Sequence, residues 1–207
     1  MKVVIIAVPM KWSDKVEPVV YPVDGNKALE YEKPIRCPMN GILAKTMKKD
    51  EEVKVVYIMT IGGKSECEKN KNAFIEELSE INKDIGAVFS FDTVEIEFEP
   101  TKNTYNKLIT HLTEKIPENA EIFTDITYGF KPEILSLFCA LRFVEEFRNS
   151  VVQYIVYGKA EFNKENKPEN SKIYDITSLY YLFKIIGNIG NTDAEKASKI
   201  LQDFFAL

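Results

Sequence analysis

The chain holds one histidine, His111, and that scarcity excludes several kinds of chemistry. A histidine-paired ribonuclease centre and a zinc cluster both need more imidazoles or grouped thiols. His111 itself lies in LITHLTEK and reads as a helical surface position, not as the base of a Ser-His-Asp relay. Cysteine is also scarce: Cys37, Cys67 and Cys139 show no metal-ligand spacing and no disulfide framework, the usage of reduced thiols in a cytoplasmic protein. Basic charge is in deficit, with 27 Lys and Arg against 32 Asp and Glu and a net charge of −5. Long duplex nucleic acid wants a broad basic face, so that partner is not expected, while a short nucleotide in a local pocket is compatible. No membrane partner is expected either. Lys2-VVIIAV is too short to span a bilayer and lacks a cleavage site, and Ile134–Val144 is interrupted by Arg142.

Two phosphate motifs are missing as well. The first turn reads AVPMKWSD, without the glycines of a dinucleotide fingerprint. Gly62-Gly63-Lys64-Ser65 has the end of a phosphate loop, but the earlier glycine would fall at position 58, which is Ile58. No redox or metal cofactor is called for.

What is present is a chain of 207 residues, 45% hydrophobic and 12% aromatic, enough to bury the core of one large domain. Lys2–Val8 and Val53–Thr60 are continuous β-branched runs, the pattern of strands covered on both faces. Further strands are expected at Val94–Phe98, Ile122–Ile126, Val151–Val156 and Ile173–Ile176. Helices are expected over Pro38–Lys49, Glu66–Lys83, Thr104–Ile116, from Pro132 onward, Leu179–Ile189 and Asp193–Phe205. Pro9–Lys33 reads as a loop or short hairpin and Asn163–Ser171 as a polar loop. Alternating strands and helices imply an α/β fold: a Rossmann-like, mostly parallel sheet flanked by helices, over residues 1–160, with an accessory strand and helical tail over 161–207 packed on the same domain.

Ligands in such sheets sit beyond the carboxyl ends of the strands. Three segments converge there: Pro9, Met10, Lys11, Trp12 and Ser13 after the first strand; Thr60, Ile61, Gly62, Gly63 and Lys64 after the second; and the turn Asp125–Lys131 before Pro132. Pro132 suits a first helical position, and Gly129 permits a backbone that other residues resist. The turn gathers Asp125, Thr127, Tyr128, Gly129, Phe130 and Lys131 at a helix head, where N–H groups and the helix dipole favour an anion. A structural reading of the same turn has Asp125 capping a helix or tying down its own loop.

Asp125-Ile-Thr-Tyr-Gly-Phe-Lys131 resembles the D-x-T-H-G-F-R stretch of the CRISPR-associated Rossmann-fold (CARF) proteins, the sensors of type III CRISPR antiviral defence. Tyr128 stands for the family's His and Lys131 for its Arg, and the segment from Tyr174 (YDITSLYYLFKIIGN) resembles the one after the family's last core strand. The resemblance implies that a cyclic oligoadenylate, cyclic tetraadenylate foremost, binds across the two-fold axis of a homodimer. Lys131 and the N–H groups of Gly129–Lys131 would then hold phosphates, Thr127 and Tyr128 would meet ribose or base, and the two loops would close over adenines. Two alternatives accompany it. One is a free-standing, metal-independent ring nuclease with Lys131 as its catalytic residue. The other is an enzyme acting on a small nucleotide or sugar phosphate.

Overall fold

The computed structural model describes residues 1–10, 18–97, 99, 101–164, 168–190 and 192–205. Its strands are β1 (Lys2–Ala7), β2 (Val23–Asp24), β3 (Glu52–Thr60), β4 (Val88–Ile96), β5 (Glu121–Asp125), β6 (Val151–Phe162) and β7 (Pro168–Asp175). Its α-helices are α1 (Pro38–Thr46), α2 (Lys64–Asn82), α3 (Lys102–Lys115), α4 (Lys131–Phe147), α5 (Thr177–Asn188) and α6 (Ala194–Phe205). The seven strands form one sheet in the order β2-β7-β6-β5-β1-β3-β4. β6, β5, β1, β3 and β4 run parallel, while β7 returns antiparallel beside β6. This is the expected α/β, Rossmann-like architecture.

All six residues of β1 are buried because both faces of the sheet are covered. Val4 and Ile6 pack on one side with Met39, Ile42 and Leu43 of α1 and Phe74 and Leu78 of α2. Val3 and Ile5 pack on the other with Leu108 and Leu112 of α3, Leu137, Leu141 and Val144 of α4, and Tyr180 of α5. Lys2 extends β1 at the cost of burying a cation. Its ammonium is held by the Thr46 carbonyl at 2.7 Å and by Glu51 at 3.2 Å, and lies over the Phe123 ring.

Two segments depart from the sequence reading. β4 starts at Val88, well before the expected Val94, because as an edge strand it is half-exposed and carries Ser90, Asp92 and Thr93 among its apolar residues. Phe98 lies outside the described residues. The polar stretch expected as a loop over Asn163–Ser171 is strand from Pro168 on, where β7 begins, and β6 runs up to Phe162 before it, so position 160 falls within a strand of the main sheet. Among the described residues no helix is long and apolar enough to cross a membrane.

The strand order reverses at β1, which has β3 on one side and β5 on the other. The chain leaves β1 for α1 on one face and leaves β5 for α4 on the opposite face. A cleft opens between those two exits, at the carboxyl ends of the strands.

Candidate functional site

A cavity of about 350 Å³ occupies that cleft, lined by Val8, Pro9 and Met10 after β1, Thr60 at the end of β3, and Thr127, Tyr128, Gly129 and Phe130 after β5. Asn70 of α2, itself buried, donates to the Pro9 carbonyl at 2.7 Å and fixes the β1 side of the wall. Gly129 is required by the bend: its φ is +102°, and a Cβ there would lie 3.2 Å from Ala7 Cβ and 3.2 Å from Glu133 Oε1.

The turn divides into a part that builds the fold and a part that faces out. Asp125 is buried and points inward. Its carboxylate accepts the Thr127 N–H at 2.8 Å and the Met39 N–H at 3.3 Å, so it braces both its own turn and the head of α1. Burial pushes its acid up to about 6, and the bonds from Thr127 and Met39 hold it back from going further. Glu77 of α2 completes the head of α1, accepting from the N–H groups of Arg36 at 2.7 Å and Cys37 at 3.0 Å. Thr127 bonds Asp125 through its hydroxyl and accepts the Gly158 N–H at 2.7 Å on the same oxygen.

The tripeptide Asp-Ile-Thr recurs at the end of β7, and so does the geometry. Thr177 donates its N–H to Asp175 at 3.0 Å and accepts the Ile155 N–H at 2.8 Å. Two such turns therefore grip β6 from either side. Gly158 is needed at this junction, since a Cβ there would meet Pro38 Cγ at 2.3 Å and Thr127 Oγ1 at 3.1 Å. The Tyr128 ring is likewise turned into the fold. It stacks on Phe74 with centroids 6.4 Å apart, and burial drives its phenol well above the ordinary range.

The outward part is the head of α4. Lys131 is exposed and has no ion pair among the described residues, and it opens α4, where the first N–H groups of a helix lack intrahelical partners. Phe130 is partly exposed at the cavity lip. Glu133, three residues on, folds back and accepts the Phe130 N–H at 3.3 Å. It is only 2% exposed, and burial pushes its acid up to about 7. Sequence reading missed Glu133, Gly158 and Asn70. Glu133 had half a signal, the acidic residue of a capping box, without the Ser or Thr that usually announces one.

The remaining expected site residues divide by place. Ile61 and Gly62 follow Thr60 on the surface, and Ile61 lines a separate small groove with Glu95, Ile96, Glu97, Thr104, Lys107 and His111. The backbone of Gly63 and Lys64 continues into α2 at the same end of the sheet. Lys11, Trp12 and Ser13 lie outside the described residues. No group of three or more His, Cys, Asp or Glu among the described residues could hold a metal ion.

Helix α4 has one further property. Lys131 heads an i, i+4 row that continues through Leu135, Cys139, Phe143 and Phe147, all exposed. Leu135 is 66% exposed and Phe147 70%. Its neighbour α5, joined to α4 by Tyr180 against Phe138 and by the Tyr180 hydroxyl on Glu145, exposes Leu179, Phe183 and Ile186. Exposed apolar side chains thus lie on both of these adjacent helices. No protein-family model matches this chain, and a search of curated proteins finds no match.

Proposed function

We propose that the chain binds a cyclic oligoadenylate, cyclic tetraadenylate foremost, on the two-fold axis of a homodimer, as the CARF sensors do whose turn it resembles. One observation carries the reading. The exposed Lys131 directly follows Phe130, which lines the cavity, and heads the exposed apolar row of α4. A second copy seated along that row would bring two lysines and two cavities toward one axis. A ring with its own two-fold symmetry matches such a pair, because an isologous dimer presents the same pocket twice. Ridges of i, i+4 side chains are also what two helices interdigitate in their commonest crossing.

The same geometry narrows the contacts. With the Thr127 hydroxyl and the Tyr128 ring engaged in the fold, the groups left for phosphate are Lys131 and the N–H groups at the head of α4. Pro9, Met10, Thr60 and Phe130 are left to meet base or ribose. Titration calorimetry with cyclic tri-, tetra- and hexaadenylate, alongside light scattering, tests this. One ring per two chains is the expected stoichiometry. A monomer that takes one mononucleotide or sugar phosphate and ignores the rings would overturn it. Chromatography of the ligand afterwards shows intact ring for a sensor, or linear product ending in a 2′,3′-cyclic phosphate for a ring nuclease.

A further inference from the structure

We propose that Glu133 is a built-in competitor for the anion site at the head of α4, so that a phosphate entering the cavity binds together with one proton. The inference rests on the reading above, that this turn receives a phosphate, and adds how the site is regulated. Glu133 does not line the cavity; it stands behind the wall made by Gly129 and Phe130. From there its Oε2 takes the Phe130 N–H at 3.3 Å, one of the donors an incoming anion would use. Its Oε1 lies against Gly129, 3.2 Å from where a Cβ would stand, and has no hydrogen-bond partner among the described residues. The ionised side chain thus both engages the donor and places a buried negative charge beside the phosphate position.

The surroundings leave that charge uncompensated. α2 presents the Cys67 thiol, whose proton the Glu133 charge helps to retain. Its own turn offers the Phe130 N–H, and no ion pair among the described residues reaches it. Burial already poises this acid near neutrality. A second anion nearby raises it further, which is proton uptake by linkage. Phosphodiesters do not titrate near neutral pH, and the carboxylate of Asp125, the other raised acid of the turn, is turned inward onto the Thr127 and Met39 N–H groups. Glu133 is therefore the group that would set the pH dependence.

The experiment measures Kd for cyclic tetraadenylate from pH 6 to 8.5 on the wild-type chain and on Glu133→Gln. The wild type is expected to weaken roughly tenfold per pH unit above neutrality, the slope of one linked proton. Glu133→Gln is expected to bind with a flat profile, and at pH 8.5 roughly thirty-fold more tightly than the wild type. A flat wild-type profile with measurable binding overturns the competitor role and leaves the ligand reading standing. If neither chain binds the ring, the ligand reading fails and the competitor is tested alone with inorganic sulfate, which does not titrate in this range. Sulfate should then shift the Gly129 and Phe130 amide resonances more at pH 6 than at pH 8 in the wild type, and equally in Glu133→Gln. Equal shifts in the wild type, or none at pH 6, overturn it. The amide spectrum of Glu133→Gln also establishes that the variant is folded.

Discussion

The hydroxyl oxygen of Thr127 lies 2.7 Å from the backbone nitrogen of Gly158 and accepts its N–H, binding the turn after β5 to the neighbouring strand β6. The threonine of the turn is thus a strut between strands, and its partner is a glycine because the strut and Pro38 leave no room for a side chain. Thr127→Val keeps the shape, removes the hydroxyl and leaves the buried Asp125 and Gly158 groups short of a partner. The expected cost is about 1–3 kcal/mol, or a Tm lower by roughly 3–10 °C. Thr127→Ser should retain most of the stability, and Gly158→Ala should cost at least as much as the valine change. Scanning calorimetry decides; a Tm for Thr127→Val equal to the wild type would return the hydroxyl to the ligand.

Lys131 should behave in the opposite way. It is exposed and unpaired among the described residues, so Lys131→Ala should leave Tm within the range of ordinary surface changes. If it holds a ligand phosphate, the same change should weaken cyclic tetraadenylate binding by roughly 10- to 100-fold, the value of one charge-assisted contact. Lys131→Arg should restore most of the affinity. Unchanged affinity in Lys131→Ala would remove the residue from the site.

The apolar row of α4 should be covered in solution. Phe143 and Phe147 stand with ring centroids 4.9 Å apart, and Cys139 is exposed one turn before them. The double change Phe143→Asp, Phe147→Asp should convert a dimer to a monomer in analytical ultracentrifugation. Cys37 and Cys67 are buried, so Cys139 is the thiol that should report the change. It should react slowly with a thiol reagent in the wild type and quickly in the double variant. A wild-type chain that sediments as a monomer at high micromolar concentration would show the row to be uncovered.

Two buried acids give stability a definite pH sign. Glu133 rises from 4.5 to about 7 and Asp125 from 3.8 to about 6, both mainly through burial. In each case the folded chain holds its proton more tightly than the unfolded one. Their contribution is fully present below about pH 4 and is lost as pH rises through 6 and 7. For Glu133 alone that loss is on the order of 3 kcal/mol. Glu133→Gln should flatten the fall in Tm between pH 5 and 7.5, while the wild type retains it. Parallel Tm profiles for the two chains would show that Glu133 does not titrate in this window.

The central strands were legible because burial on both faces leaves an unbroken apolar signature, as in β1 and β3. The head of α4 was legible from Gly129 and Pro132, two residues with narrow conformational meaning. The early half of β4 was not, since an edge strand gains its pairing from β3 while its side chains stay half in water. The β6–β7 pairing hid for a related reason: Lys159, Glu161, Glu169 and Asn170 are polar and exposed on their strands and look like loop composition. At the site, the sequence placed Asp125 and Thr127 in the right turn but could not say which way they face. That depends on Met39 and Gly158, groups far away in the chain whose approach only the sheet order brings about.

Asn70 grips Pro9, Glu77 on the same nineteen-residue helix grips the head of α1, and Asp125 grips α1 from the far side. Followed around, these bonds form a closed circuit: β1 to α2, α2 to α1, α1 to β5, and β5 back to its neighbour β1. A receptacle framed by a closed circuit keeps its shape when empty. Its guest would meet a mould already set, with little ordering left to do on association.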